Sequence, residues 1–277
     1  MNEFNTLGYH PGNSPIHYIN ATAKLIFFLL LSISAMMTYD TRYLIIVSIC
    51  SLILFKVSQL KWYQVSFVVK FIAFFTVINV IAVYLFDPEY GVRLYGVRTE
   101  LWSGVGRFTL TTQELFYLFN LLLKYVCTIP LTLVFLLTTN PSHFAASLNR
   151  IGVNYKISYA VALTLRYIPD IQETYLEISQ AQQARGYEMS KKVSIIKRLK
   201  GVSQIVMPLI FSSIERIDTV STAMELRQFG KHKKRTWYVS EPYQFKDYMT
   251  IVIVICFVAV AIALFFINGS RFYNPWH

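Results

Sequence analysis

Apolar residues run along this chain in long blocks separated by short polar stops. Met249 to Ile267 is one block, Val65 to Phe86 a second, and Leu115 to Thr139 a third that carries Lys124 and Pro130 inside it. Each approaches or exceeds the roughly 20 apolar residues that a helix needs to cross a hydrocarbon layer about 30 Å thick. Leu25 to Phe55 is long enough for two crossings but is split by Tyr39, Asp40, Thr41 and Arg42. Charges at the centre of a single tilted helix cost about 2.5 kcal/mol or more each, so this stretch predicts two helices with their polar turn at one surface. The pattern predicts an all-α integral membrane protein with about five transmembrane helices.

Between Thr139 and Asp247 the pattern changes to one too polar to span and too apolar for a disordered tail. Asn140, Pro141 and Ser142 break the chain ahead of a helix near His143. Ile157 to Ile168 is apolar but short, contains Arg166 and is expected to stop at Pro169 as a buried or interfacial helix. From Asp170 the spacing turns amphipathic, with Ile171, Tyr175 and Ile178 on one face and Glu173 and Glu177 on the other, up to a natural stop at Gly186. A basic connector follows (Lys191, Lys192, Lys197, Arg198, Lys200), suited to anionic lipid head groups rather than nucleic acid. A second helix is expected from near Pro208 to Arg227. The chain thus divides into an N-terminal tail with four spans (1–139), a cytoplasmic domain of amphipathic helices (140–247) and a last span with an outer tail (248–277).

Composition sharpens this. With 55% hydrophobic and 15% charged residues, against about 25% charged in globular proteins, the chain is excluded as a water-soluble fold of ordinary shape. The net charge of +11 is explained by its distribution. With the N-terminus inside, nineteen Lys and Arg fall in inner segments and five in outer ones, the arrangement that the positive-inside rule selects. Residues 1–20 are polar, with Pro11 and Pro15, and do not read as a cleavable signal. Cys50, Cys127 and Cys256 fall one in each of three spans and read as packing residues. No phosphate-binding Gly-x-x-x-x-Gly-Lys-Ser/Thr loop occurs, and His10, His17, His143, His232 and His277 lack metal-ligand spacing. Asp87, Glu89, Glu100 and Glu114 in the outer loop follow no catalytic pattern. Lys70 can snorkel to the inner surface. Lys124 is the candidate internal charge, holding helices together through backbone carbonyls or a distant carboxylate.

One motif occurs twice. Ala181-Gln-Gln-Ala-Arg185-Gly-Tyr187 returns 42 positions later as Ala223-Met-Glu-Leu-Arg227-Gln-Phe229. An arginine in a last helical turn can simply complement the helix dipole. Two with similar neighbours on two long helices suggest instead two matching plugs for two similar partner sites.

These helix ends, the Arg166-Tyr-Ile-Pro169 element, Tyr9-His-Pro-Gly-Asn-Ser14-Pro-Ile-His17 with Lys24, and Thr138-Thr-Asn-Pro141 together resemble the transmembrane T component of energy-coupling factor transporters, the CbiQ-like family. The resemblance covers nearly the whole chain in order. It implies a non-catalytic scaffold in the cell membrane that joins two cytoplasmic ABC ATPase subunits to a small membrane subunit, the S component, for vitamin or metal-ion uptake. ATP and Mg would be bound by the partners and no cofactor by this chain. The docking motifs implied are Ala184, Arg185, Gly186 and Leu226, Arg227, Gln228, supported by Arg166, Pro169, Ala181, Tyr187, Pro208, Ala223 and Phe229. The second motif departs from the family's Ala-Arg-Gly, and Gly230 is the residue expected to take over as helix cap. The unequal ends lean towards two different ATPases. The rivals are a self-sufficient secondary transporter, which needs a polar path through the spans, and a membrane-bound enzyme, which needs a cluster of titratable groups.

Overall fold

A computed structural model describes residues 12, 14–102, 109–186, 195–232 and 236–276. They form two compact units, one from the described residues of 12–140 with 241–276 and one from those of 141–240.

The first unit is a helical bundle. Its elements are α1 (Ala21–Met37), α2 (Thr41–Val57), α3 (Trp62–Phe86), α4 (Tyr90–Tyr95), α5 (Thr112–Thr138) and α9 (Phe245–Asn268), with a small antiparallel pair β1 (Glu100–Trp102) and β2 (Leu110–Thr111) ahead of α5. Three stretches, Val65–Phe86, Thr112–Thr138 and Phe245–Asn268, are long and apolar enough to cross a membrane. α1 and α2 have 17 residues each, about 25 Å of helix. They are joined by the polar turn that the sequence predicts, yet α1 lies chiefly against α9 and α5, and α2 against α5, rather than against each other. The core gathers Leu31 and Ala35 of α1, Tyr43, Leu44 and Val47 of α2, Cys127 and Leu131 of α5, and Val254 and Ala261 of α9. α3 is apolar all round and mostly exposed, with Phe67, Phe71 and Phe74 outward, the condition of a helix bathed in lipid. This is an all-α membrane protein.

Apolar side chains provide little drive for association in lipid, so buried polar bonds carry more of the specificity. Tyr43 and Ser34 hydroxyls meet at 2.7 Å, and Thr41 Oγ1 donates to Asn120 Oδ1 at 2.7 Å. Asp40, fully buried in the turn, caps α2 through the Arg42 N–H at 3.0 Å and accepts from the Arg42 guanidinium and from Asn268 Nδ2 at 2.7 Å. Burial pushes its carboxyl up, but the bonds from Arg42 and Asn268 outweigh that and hold it below the ordinary aspartate value. Asp247 ties α1 to α9 by accepting from the Asn20 N–H at 2.8 Å and the Gln244 N–H at 2.7 Å.

The second unit holds α6 (Pro141–Arg150), α7 (Tyr155–Ala184) and α8 (Ile195–Leu226). Two boundaries differ from the sequence reading. α7 does not stop at Pro169, and α8 does not wait for Pro208; each runs through its proline. A proline inside a helix removes one N–H and frees the carbonyl four residues earlier, a cost of about 3 kcal/mol that neighbouring donors can reduce. The carbonyl freed by Pro208 is that of Gln204, which Gln182 Nε2 of α7 approaches at 3.5 Å. In the bundle, Pro130 of α5 frees the Val126 carbonyl, and Ser51 Oγ of α2 donates to it at 3.3 Å. Neighbouring helices thus fill both openings.

Candidate functional site

The two arginine motifs end α7 and α8 with the same backbone. On α7 the Arg185 N–H is shared between the carbonyls of Ala181 and Gln182, and the Gly186 N–H donates to Gln183 at 2.9 Å. Gly186 lies in the left-handed region, φ +88°. On α8 the Arg227 N–H donates to Ala223 at 3.2 Å, Gln228 N–H to Glu225 at 2.8 Å and Phe229 N–H to Met224 at 2.9 Å. The last two bonds are the 5→2 and 6→1 pair of a Schellman stop. Its left-handed residue is Gln228, φ +53°. The expectation that Gly230 replaces the lost glycine is therefore overturned: Gln228 itself adopts the conformation that Gly186 has in α7. Gly230, also at positive φ, belongs to the turn that follows. A non-glycine residue there costs about 1–2 kcal/mol. The Schellman bonds and the packing of Phe229 hold it, with ring centroids 5.7 Å from Tyr155 and 4.7 Å from Tyr159.

Both motifs lie on the surface. Ala181, Ala184, Arg185, Gly186, Ala223, Arg227 and Gln228 are exposed, and Leu226 is 80% exposed. Among the described residues neither guanidinium makes a hydrogen bond or ion pair. Each stands at the carbonyl end of a helix of 30 or 32 residues with its five donors free. Tyr187 lies outside the described residues. Phe229 is half-buried against α7, so of the second motif Leu226, Arg227 and Gln228 face outward. Of the supporting residues, Ala181, Ala223 and Phe229 lie within a turn of these tips, and three others do not. Arg166 and Pro169 stand about 24–28 Å back along α7, and Pro208 about 28 Å back along α8.

Their chain neighbours Tyr167, Ile168 and Leu209 line a different feature. Above the crossing where Ser179 and Ile205 are buried, α7 and α8 enclose an apolar cavity of about 410 Å³. Tyr167, Thr174 and Arg216 line both this cavity and a polar pocket beside it that adds Asp170, Glu173 and Glu177. The cavity was illegible in the sequence because it needs the register of two separate helices against each other.

Two buried lysines in the bundle have structural partners. Lys124 of α5 donates to the Met36 carbonyl at the end of α1 at 2.6 Å, with its ammonium 3.2 Å from the Tyr39 ring centroid. Lys24 of α1 donates to the Thr138 carbonyl at the end of α5 at 2.9 Å. Each helix therefore supplies the cation that satisfies the other's orphan C-terminal carbonyls. Of the two roles open to Lys124, contact with backbone carbonyls is the one observed. Among the described residues no three His, Cys, Asp or Glu side chains gather as a metal site.

Three curated relatives are alike over nearly their whole length. Proteins of Streptococcus equi, Staphylococcus aureus and Heliobacterium modesticaldum, each named energy-coupling factor transporter transmembrane protein EcfT, are 27, 26 and 28% identical to this chain. The matches cover 89, 95 and 90% of this chain and 91, 96 and 93% of theirs. A putative ABC transporter ATP-binding protein of Bifidobacterium longum is 28% identical over 182 residues, 62% of this chain and 23% of that longer protein. Residues 12–238 match the family described as CbiQ, cobalt transport protein. Spanning helices, paired arginine tips and a match over most of its length agree: this chain belongs to the CbiQ family of membrane transport proteins.

Proposed function

We propose that the chain is the transmembrane coupling subunit of an ATP-driven importer, linking two cytoplasmic ABC ATPase subunits to a membrane subunit that binds a vitamin or a metal ion. The observation that carries this is the pair of exposed helix ends with one backbone geometry, each presenting an unpaired arginine. A guanidinium is a rigid fork suited to carboxylates and carbonyls in a groove, and Ala184 or Leu226 offers apolar surface beside it. Two grooves of like shape on two ATPase subunits would accept two such tips, and long helices would pass their opening and closing on as rigid-body motion. ATP and Mg stay with those partners. The relative named as an ATP-binding protein supports the pairing, because a segment similar to this chain occupies part of a longer polypeptide with that name. In this reading α1, α2, α3, α5 and α9 are the five spans, the N-terminus and residues 140–247 are cytoplasmic, and the C-terminus is outside.

The test is Arg185→Glu with Arg227→Glu in the assembled complex. Replacing both forks with like charge for an acidic groove should abolish co-purification of the ATPase subunits and ATP-driven uptake, with the bundle still folded. Intact complexes with full uptake would sink the proposal.

A further inference from the structure

Four helices of the bundle meet at one end around an apolar cavity of about 210 Å³. Among the residues lining it, Lys24 is in the first turn of α1 and Thr138 is the last residue of α5. Leu54 stands three residues before the end of α2 and Thr250 in the second turn of α9, so all four lie near the same end of their spans. The walls continue inward along Phe28, Leu131, Phe135 and Ile253. From Thr138 to Leu131 the α5 wall is about 10 Å long. The polar end is Lys24, 8% exposed, whose ammonium donates to the Thr138 carbonyl at 2.9 Å and the His17 carbonyl at 3.4 Å. An ammonium has three donors, so two neutral carbonyls leave one N–H over and give the charge no contact ion. Asp247 and Glu241 attract it through space, but among the described residues neither forms an ion pair with it. Asp247 is already engaged by the Asn20 and Gln244 N–H groups. The Thr138 hydroxyl is buried as well and has no hydrogen-bond partner.

We infer that this cavity holds one acyl chain of an anionic phospholipid, whose phosphate accepts the remaining Lys24 N–H close to the Thr138 hydroxyl. A single methylene chain is the occupant that the walls fit, because a helix is about 10 Å across and needs several times this volume. The ammonium lies at the ends of the spans, the depth of the head groups, where a basic group between spanning helices selects anionic lipid. A buried charge without a contact ion is costly, and the phosphate supplies the ion that the chain itself omits. The apolar walls hold the chain and the lysine chooses the head. This inference needs only the spanning bundle and stands independently of the coupling reading.

The experiment uses the full chain, purified in mild detergent and washed free of lipid. It is offered phosphatidylglycerol and phosphatidylcholine of equal chain length in equal amounts, and the lipid retained is counted by native mass spectrometry. The wild type should keep one phosphatidylglycerol under dilution that removes the surrounding lipid. Leu54→Trp fills the cavity from its half-buried side and should lower that occupancy about tenfold, as the loss of several buried methylenes requires. Lys24→Gln keeps a donor for the Thr138 carbonyl but carries no charge. It should lower the preference for phosphatidylglycerol about fivefold and leave retention of phosphatidylcholine as it was. Equal retention of both lipids by the wild type overturns the inference, and so does a preference that Lys24→Gln leaves unchanged. Phosphatidylglycerol occupancy undiminished in Leu54→Trp assigns the lipid to the outer surface of the bundle and overturns it too. If Leu54→Trp does not fold, Ile253→Trp, which fills the same cavity from its exposed rim, decides by the same two outcomes. A detergent molecule that phosphatidylglycerol cannot displace from the wild type also overturns the inference.

Discussion

Gln228 occupies a backbone conformation that glycine would adopt freely, so Gln228→Gly should tighten the end of α8. Relief of the left-handed strain is worth about 1–2 kcal/mol. Glycine gives back about 0.4–1 kcal/mol by loosening the unfolded chain. The hydrogen bond from Lys231 Nζ to Gln228 Oε1, 3.1 Å long and exposed, adds nothing that water does not replace. The net gain is about 0.5–1 kcal/mol, or roughly two- to fivefold in the opening equilibrium of the last turn. Hydrogen exchange read by mass spectrometry over a peptide containing Gln228 and Phe229 measures this, since their N–H groups donate to Glu225 and Met224. Exchange should slow two- to fivefold in Gln228→Gly and stay near wild type in Gln228→Ala, which keeps a Cβ. Equal slowing in both variants, or faster exchange with glycine, would refute the assignment of the strain to φ. The mirror substitution, Gly186→Ala, should speed exchange at the end of α7.

Three further outcomes concern the bundle. Lys124→Met leaves the Met36 carbonyl without its 2.6 Å donor and should cost about 1–3 kcal/mol, read as a lower thermal midpoint, while the proposed coupling role, which routes no substrate past this lysine, expects uptake per folded complex to stay at wild type. Gly91→Ala places a methyl carbon 2.6 Å from the Gln113 carbonyl. It should push α4 away from the 2.7 Å bond between the Gly91 N–H and Glu114 and open the α3–α5 connection to protease. The Asp40 carboxyl is held below its ordinary value of 3.8. Its stabilising contribution is therefore whole above pH 3.8 and lost as pH falls below that value through the lower folded one. Asp40→Asn should flatten that part of the acid-unfolding profile measured by circular dichroism.

What the chain discloses in advance follows from how local each signal is. A run such as Met249 to Ile267 needs no partner to be recognised, and the polar turn at Tyr39 to Arg42 marks itself by charge. The arginine repeat was readable because it lies within seven consecutive residues at each end. Pro169 and Pro208 misled because a proline's cost depends on what lies beside the helix, and Gln182 sits on a different helix from the carbonyl it approaches. Gln228 misled for a related reason: composition points to Gly230 as the stop, whereas the Schellman bonds and the Phe229 ring decide the matter from outside the residue. The acidic mouth of the α7–α8 cavity was visible as Glu173 and Glu177, but its apolar walls needed both helices in place.

The prolines have one more effect. Apolar helices in a membrane slide along one another at little cost, since one layer of leucines resembles the next. A carbonyl released by proline exists at a single depth, so Ser51 opposite Val126, like Gln182 opposite Gln204, fixes where its helix stands along its neighbour. Shifting either pair by one turn strands an oxygen with no donor, and the residue that weakens the ladder thereby sets the axial position of the helix beside it.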